Sequence, residues 1–462
     1  MILNEGDVLH TIDGATIIVK NQLGEGGQGA VYRVNYEGVD MALKWYSNVG
    51  RNPEAFYENL KHNIEKGLPD KSFLWPRAIT EKKDGSFGYI MDLRPEGYYE
   101  LSEFMLTRAV KEDKKTGKKQ IIDVKFSSFK AAVEACIKIV SAFRILHNHG
   151  YCYQDLNDGN FFINPVNGDV YICDNDNVAP NGVSMGIIGK PRYMAPEIVC
   201  NNTVSWDNQQ SGRKSLGDMG KGVYPNKQTD RFSLAVILFM ILCMNHPLEG
   251  KKSLVPCLTP KEAEKLYGSE ALFIYDPNNT ANAPVKNIHA NVIARWGYMP
   301  DYIKDIFLKA FSQQAIKEPG RRPRELDWLK VLVRFRSDIV KCNCGNEVFI
   351  KNAATTRCDG CGKPMTITHV IKLPEYSITA AKGSRVYRCQ LGSCNADEAL
   401  TPVALVVADT QNPQILGIKN MTSNILEAIT PSGKRRQVQP QEIVPFKSGI
   451  VIEVFDSKIE LN

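Results

Sequence analysis

A multidomain α+β protein is what the sequence predicts: two lobes meeting at a cleft, then a small cysteine-rich module, then a β-sandwich-like domain. Three observations lead there. Alternating apolar and polar segments between glycine-rich turns (TIIVKNQL, AVYRVNY, VDMALKWY) fill residues 8–46, and helical periodicity fills the middle of the chain. Four closely spaced cysteines then separate that middle from a return to strand-type sequence. At 462 residues the chain exceeds one ordinary core, since domains run to about 100–200 residues.

The elements follow in order. The opening segments read as a twisted antiparallel meander. FKAAVEACIKIVSAFRILH, residues 129–147, carries apolar residues at three- and four-residue spacing, and so do 231–244 and 302–311. Strands followed by helices place a ligand cleft between two lobes, about 8–91 and 92–336, within a first domain of 1–338. The cysteine module is expected over 339–370, and a small β domain over 385–462, on segments such as PVALVVAD and GIVIEVF.

With 43 % hydrophobic and 23 % charged residues, the chain is neither disordered nor fibrous. A net charge of +6 is too small to point to nucleic acid, and the basic runs Lys111–Lys119 and Lys434–Arg436 read as solvated loops. The N-terminal MILNEGDVLH lacks the pattern of a secretory leader, so a cytoplasmic protein is expected. The most apolar run, Phe232–Met244, is shorter than the roughly 20 residues that span a bilayer, so no membrane partner is expected. Cys136, Cys152, Cys173, Cys200, Cys243 and Cys257 stand singly and read as reduced core thiols.

In LGEGGQGAVY, Gly24, Gly26 and Gly29 form GxGxxG before Val31, between two strand-like segments. Glycines let backbone close over phosphate oxygens without a Cβ clash, although the pattern alone is equally a flexible hairpin. A dinucleotide site would open a helix here, and another strand follows instead. Thirteen residues after Val31, Lys44 ends MALK, and alternation places Ala42 and Lys44 on one strand face. Most lysines are solvated, but one at this spacing suits α- and β-phosphates. A carboxylate on the next helix should hold it. Glu58 and Glu65 share a helical face, and Glu58 is the choice.

YCYQDLNDGNFFIN carries Asp155 and Asn160 five residues apart, and VYICDND brings Asp174 fourteen residues later. An aspartate after a helix can take the proton of a substrate hydroxyl, while an asparagine amide oxygen and a second carboxylate can hold magnesium. Each alone is more often a loop cap; the ordered set is not explained that way.

The set GEGGQGAVY, MALK, YQDLNDGN, CDND, GKPRYMAPE, DRFSLAVIL and RRP resembles the Hanks-type serine/threonine protein kinase domain over about residues 10–336. The resemblance implies a bilobal kinase domain that uses ATP with Mg²⁺ (or Mn²⁺) and takes protein substrates. It makes Met91 and Asp92 the start of the hinge that receives adenine, pairs Glu197 with Arg322, and sets Asp230 at the head of the buried helix. Residues 202–229 resemble an insertion, expected as an exposed loop. Departures are equally plain. Tyr153-Gln154-Asp155 replaces His-Arg-Asp, so no arginine awaits an activation-loop phosphate. Asn157 stands where a lysine normally meets the γ-phosphate, and Asn175-Asp176 replaces Phe-Gly. Asp176 reads equally as a second metal-side carboxylate or as a turn cap. An active kinase and a nucleotide-binding pseudokinase or scaffold are the two functional readings.

Cys342-x-Cys344 and Cys358-x-x-Cys361, thirteen residues apart, give four thiolates suited to structural Zn²⁺, with disulfides or free thiols as the plainer alternative. Cys389 and Cys394 lack a second pair and read as unliganded. The last strands resemble the second half of a forkhead-associated β-sandwich, implying a docking module, against a structural cap as the alternative. The domain order also resembles bacterial kinases of tellurite-resistance-type systems, which implies a von Willebrand A-domain protein and a metal-dependent phosphatase as partners.

Overall fold

The structure, a computed structural model, describes residues 2–26, 29–47, 53–112, 119–183, 189–201, 224–350, 356–366, 369–412 and 415–462. Strands β1 (Val8–His10), β2 (Thr16–Gly26), β3 (Gly29–Tyr36), β4 (Val39–Tyr46), β5 (Ala78–Ile79) and β6 (Phe87–Met91) form one antiparallel sheet in the order β1-β2-β3-β4-β6-β5. The β3–β4 turn is Glu37-Gly38, with φ +52° and +86°, the left-handed pair that matches strand twist. Alternation along β4 sorts its side chains. Met41, Leu43 and Trp45 join a core with Ile17, Val34 and Ile90, while Ala42 and Tyr46 join another with Phe56, Leu60 and Met91. Lys44 therefore lies on the Ala42 face, as its spacing implied.

Helix α1 (Pro53–Lys66) buries Phe56, Tyr57, Leu60 and Asn63 along one stripe. It stops at Gly67, whose left-handed φ of +81° lets its N–H return to the Asn63 and Ile64 carbonyls. Beyond the sheet come the helices Phe129–Asn148, Lys227–Cys243, Ala290–Tyr298 and Asp301–Ala310. The helix Lys227–Cys243 is buried from Phe232 onward, which accounts for its continuous apolar run. No helix among the described residues is long and apolar enough to cross a membrane.

Several expectations need correction. The expected loop 202–229 lies outside the described residues over 202–223, and its end is helical: Asn226 caps a helix starting at Lys227, accepting from the Gln228 and Thr229 N–H groups. The basic runs are not wholly loops. Arg108–Glu112 pairs with Lys119–Asp123 as a hairpin, and Arg435–Val438 is a strand whose Arg435 and Arg436 meet Glu427 and Glu442. For Arg435 and Arg436, carboxylates on neighbouring segments supply the reason. Of the six single cysteines, Cys136, Cys152 and Cys243 are buried, Cys173 and Cys200 half-buried, and Cys257 exposed.

Packing divides the chain into two compact units: Met1–Phe126, Ile145–Tyr298 and Phe307–Pro323 in one; Ser127–Arg144, Met299–Ile306 and Arg324–Asn462 in the other. The division differs from the boundary expected at 338, because the helix Glu325–Asp338 clusters with the second unit. There Arg336 meets Glu134 at 2.9 Å, and Asp338 accepts from Tyr302 at 2.7 Å and from Thr379 at 3.2 Å. The sandwich itself has a six-stranded sheet, in the order Ser377–Thr379, Val370–Lys372, Ser457–Leu461, Val451–Val454, Leu426–Ile429 and Arg435–Val438. Its second sheet runs Arg385–Tyr387, Pro402–Ala408, Leu416–Asn420 and Ile443–Pro445. Ile371, Ile378, Ile452 and Ile459 from the first sheet and Val403, Val406 and Ile418 from the second share one core. It starts at Val370 rather than 385, since Ile371 pairs with Leu461.

Candidate active site and cysteine centre

The glycine segment is a hairpin between β2 and β3, with Gly24 opposite Val31 and Gly26 opposite Gly29. A Cβ on Gly29 would stand 2.0 Å from the Trp45 carbonyl oxygen, so only glycine lets β3 approach β4 there. Below the hairpin, Val31, Ala42, Met91, Leu93 and Cys173 belong to one apolar cluster, a lining suited to a flat aromatic base. Met91 ends β6 in register with Ala42, and the Asp92 carboxylate beyond it pairs with Arg77 at 2.6 Å.

Lys44 Nζ reaches across the cleft to two carboxylates, Asp174 Oδ1 at 3.0 Å and Asp176 Oδ2 at 2.7 Å. Burial opposes its charge, but Asp176 and then Asp174 outweigh that cost and hold the ammonium well above its ordinary pKa range. Asp176 is fully buried and also accepts from the Tyr46 hydroxyl, whereas the Asp174 side chain is 40 % exposed and adopts a left-handed φ of +55°. The expected partner is elsewhere. Glu58 faces away from the Phe56–Leu60–Asn63 stripe and meets Lys61 at 3.3 Å, so the face it shares with Glu65 is not the face α1 turns inward. The polar residues of α1 that do turn inward are Asn59 and Asn63, both donating to the Val178 carbonyl at 2.8 Å.

The loop carrying Asp155 is held from behind. Asp230, in the first turn of its helix, accepts from the Tyr153 N–H at 2.6 Å, the Gln154 N–H at 3.2 Å and His147 Nε2 at 3.0 Å. The helix N-terminus favours that buried carboxylate. Gln154 is left-handed, φ +74°, which turns the next residue out of the strand Tyr151–Cys152. Asp155 has its pKa raised, first by burial and then by the charge of Asp174. Asn160 spends its amide nitrogen on the Asp155 carbonyl at 2.8 Å, leaving the amide oxygen as its ligand atom. Asn160 and Asp174 thus present a neutral oxygen and a half-exposed carboxylate, a donor set that fits a hard divalent cation. Lower in the same unit, Arg322 places a two-pronged guanidinium on Glu197 at 2.8 and 2.7 Å. Breaking that buried pair by Arg322→Ala should lower folding stability by about 3 kcal/mol, read by denaturant unfolding.

Two residues bearing on the site escape a reading of spacing alone. Asp176 is the buried partner of Lys44, and Lys190, of the GKPRYMAPE segment, donates to Asn157 Oδ1 at 3.2 Å. For Lys190 a positive residue beside the lysine-free loop Asp155–Asn160 was the available signal.

In the second unit the four predicted cysteines come together, with their sulfurs all within 4.8 Å of one another. Cys342 and Cys361 are 3.8 Å apart, and Cys344 and Cys358 3.5 Å. A tetrahedron with metal–sulfur bonds of about 2.3 Å has edges of about 3.8 Å, so the set fits Zn²⁺. Each pair sits on a tight turn closed by a glycine N–H, Gly345 to the Cys342 carbonyl at 2.8 Å and Gly362 to the Cys358 carbonyl at 2.7 Å. Cys342, Cys358, Val348 and Met365 make up a very small apolar cluster.

Residues 103–288 match the family model for the protein kinase domain, a span that contains Asp155, Asn160, Asp174, Lys190 and Asp230 but not Lys44. The chain is 21 % identical over 392 residues to the protein kinase YegI of Escherichia coli O157:H7, across 81 % of this chain and 53 % of that protein. It is 29 % identical over 117 residues to the serine/threonine-protein kinase VHS1 of Saccharomyces cerevisiae, across 24 % of this chain and 23 % of that protein. The chain therefore spans about half the length of the first relative and about a quarter of the second.

Proposed function

We propose that the chain is an ATP-dependent kinase that phosphorylates serine or threonine hydroxyls of protein substrates. The observation that carries this reading is the ion pair from Lys44 on β4 to Asp174, 130 residues away in sequence, beside the Asp155–Asn160 loop. Lys44 and the glycine hairpin bind and orient the phosphates of ATP. Asp155 accepts the proton of the substrate hydroxyl, its oxygen bonds to the γ-phosphorus, and the bond to the ADP oxygen breaks. Asn160 and Asp174 would hold Mg²⁺ or Mn²⁺, which would supply charge neutralisation for the phosphates. Serine or threonine as the acceptor rests on the overall motif set and on the yeast relative.

Incubation with γ-labelled ATP and magnesium tests this: wild-type protein should transfer label, and Asp155→Asn should do so about 10²- to 10⁴-fold more slowly while still binding nucleotide. A nucleotide-binding scaffold is the second reading, favoured by Asn157 at a position next to the transferring group. Equal labelling by wild type and Asp155→Asn would favour it.

We read the cysteine quartet as a structural zinc site and the sandwich as a docking module, with a von Willebrand A-domain protein and a metal-dependent phosphatase as candidate partners. A cytoplasmic compartment is the reading the sequence supports, with six cysteines that stand singly and four at a metal-type spacing. Protein purified without chelator should contain about one zinc per chain by elemental analysis. Chelation should release it and melt the cysteine module, because so small an apolar cluster cannot hold that segment alone. Less than about a tenth of an equivalent of zinc would contradict the site.

A further inference from the structure

We propose that Lys190 is a catalytic residue that places its ammonium on the transferring γ-phosphoryl group, an inference that rests on the kinase reading above. The site is rich in negative charge: the charges of Asp174 and Asp176 both act on Asp155, and ATP would add more. Lys44 is already committed to Asp174 and Asp176. On the other side, next to Asp155, the charge comes from Lys190. Its Nζ is fixed by Asn157 Oδ1 at 3.2 Å, and its charge draws the Asp155 pKa downward against burial.

The approach of this segment is close. A Cβ on Gly189 would lie 2.9 Å from Asp155 Oδ1, so the backbone immediately before Lys190 presses on the carboxylate that would take the hydroxyl proton. Asn157 is itself oriented: its side-chain oxygen also accepts from the Gly159 N–H at 3.1 Å, and its amide nitrogen donates to the Asp155 carbonyl at 3.3 Å. Asn157 therefore works as a bracket that holds the ammonium of Lys190 beside the loop, and Lys190 supplies the positive charge that the loop itself lacks. As the hydroxyl oxygen bonds to phosphorus, its proton moves to Asp155 and the bridging bond to ADP breaks. Negative charge then develops on the phosphoryl oxygens and the leaving oxygen, and a fixed cation there is worth more in the transition state than in the ground state.

Lys190 is exposed, so substitution should leave the fold intact. The test compares wild type with Lys190→Met, similar in length and uncharged, and Lys190→Arg, which keeps the charge. Transfer from ATP and the affinity of a fluorescent ADP analogue are both measured. Lys190→Met should lose kcat by about 10²-fold with ADP affinity unchanged, and Lys190→Arg should retain activity within about tenfold of wild type. Equal kcat in Lys190→Met and wild type, or Met and Arg variants equally impaired, would overturn the assignment. Wild-type protein that binds ADP and transfers nothing would remove the kinase reading instead.

Discussion

Asp176→Asn should abolish most phosphoryl transfer and destabilise the fold, while Glu58→Gln should do neither. Asp176 is wholly buried, and Lys44 beside it is nearly so. Neutralising the aspartate leaves the ammonium dependent on Asp174 alone, the carboxylate that would also have to serve the metal. Breaking one arm of such a buried pair costs about 3 kcal/mol. Competition for Asp174 should then slow transfer by about 10²-fold or more, measured with labelled ATP at saturating magnesium. Glu58 is exposed and paired with Lys61 within one helix, an arrangement worth about 0.3–0.5 kcal/mol, so its variant should remain within about twofold of wild type. A reversed ranking of these two variants would return the Lys44 anchor to α1. The placement has a mechanistic meaning: Lys44 is held by the same short segment that carries Asp174, so its position does not depend on a carboxylate from the helix.

Asp230→Ala should be nearly as damaging, and for a different reason. Removing the carboxylate takes away three hydrogen bonds that Asp230 accepts, from the Tyr153 N–H, the Gln154 N–H and His147 Nε2. A hydrogen bond to a charged group contributes about 1.5–3 kcal/mol, so losing the buried carboxylate should cost about 3 kcal/mol or more in chemical denaturation. Gln154 immediately precedes Asp155 and holds a left-handed conformation that this clamp supports. Transfer should therefore fall by at least about tenfold even in the folded fraction, because an ångström-scale shift of the base is costly. Folded Asp230→Ala protein with undiminished kcat would show that the clamp does not set the position of Asp155.

Much of this arrangement is legible in the sequence because it depends on local rules. Alternation places Lys44 on the face of Ala42, a strand after GxGxxG separates this hairpin from a dinucleotide turn, and two short cysteine spacings bring four sulfurs together. What the sequence hides is pairing over distance. Glu58 and Glu65 satisfy a helical period, but periodicity does not say which stripe turns inward, and α1 turns Phe56, Leu60 and Asn63. The choice of Asp176 as the Lys44 partner depends on how the segment after the strand Val170–Ile172 folds back, and Asp176 alone was equally a turn cap. The start of the sandwich was hidden too, since Val370–Lys372 is too short to read as a strand until it is paired with the end of the chain.

Mapping of covalent phosphate by mass spectrometry, after the full chain is incubated with ATP, magnesium and a protein substrate, tests the central claim most directly. Phosphate esters on serine or threonine side chains, present with wild-type protein and lost with Asp155→Asn, are the expected result. Wild-type protein that binds ATP and leaves every hydroxyl unmodified, or the same sites filled with Asp155→Asn, would contradict it.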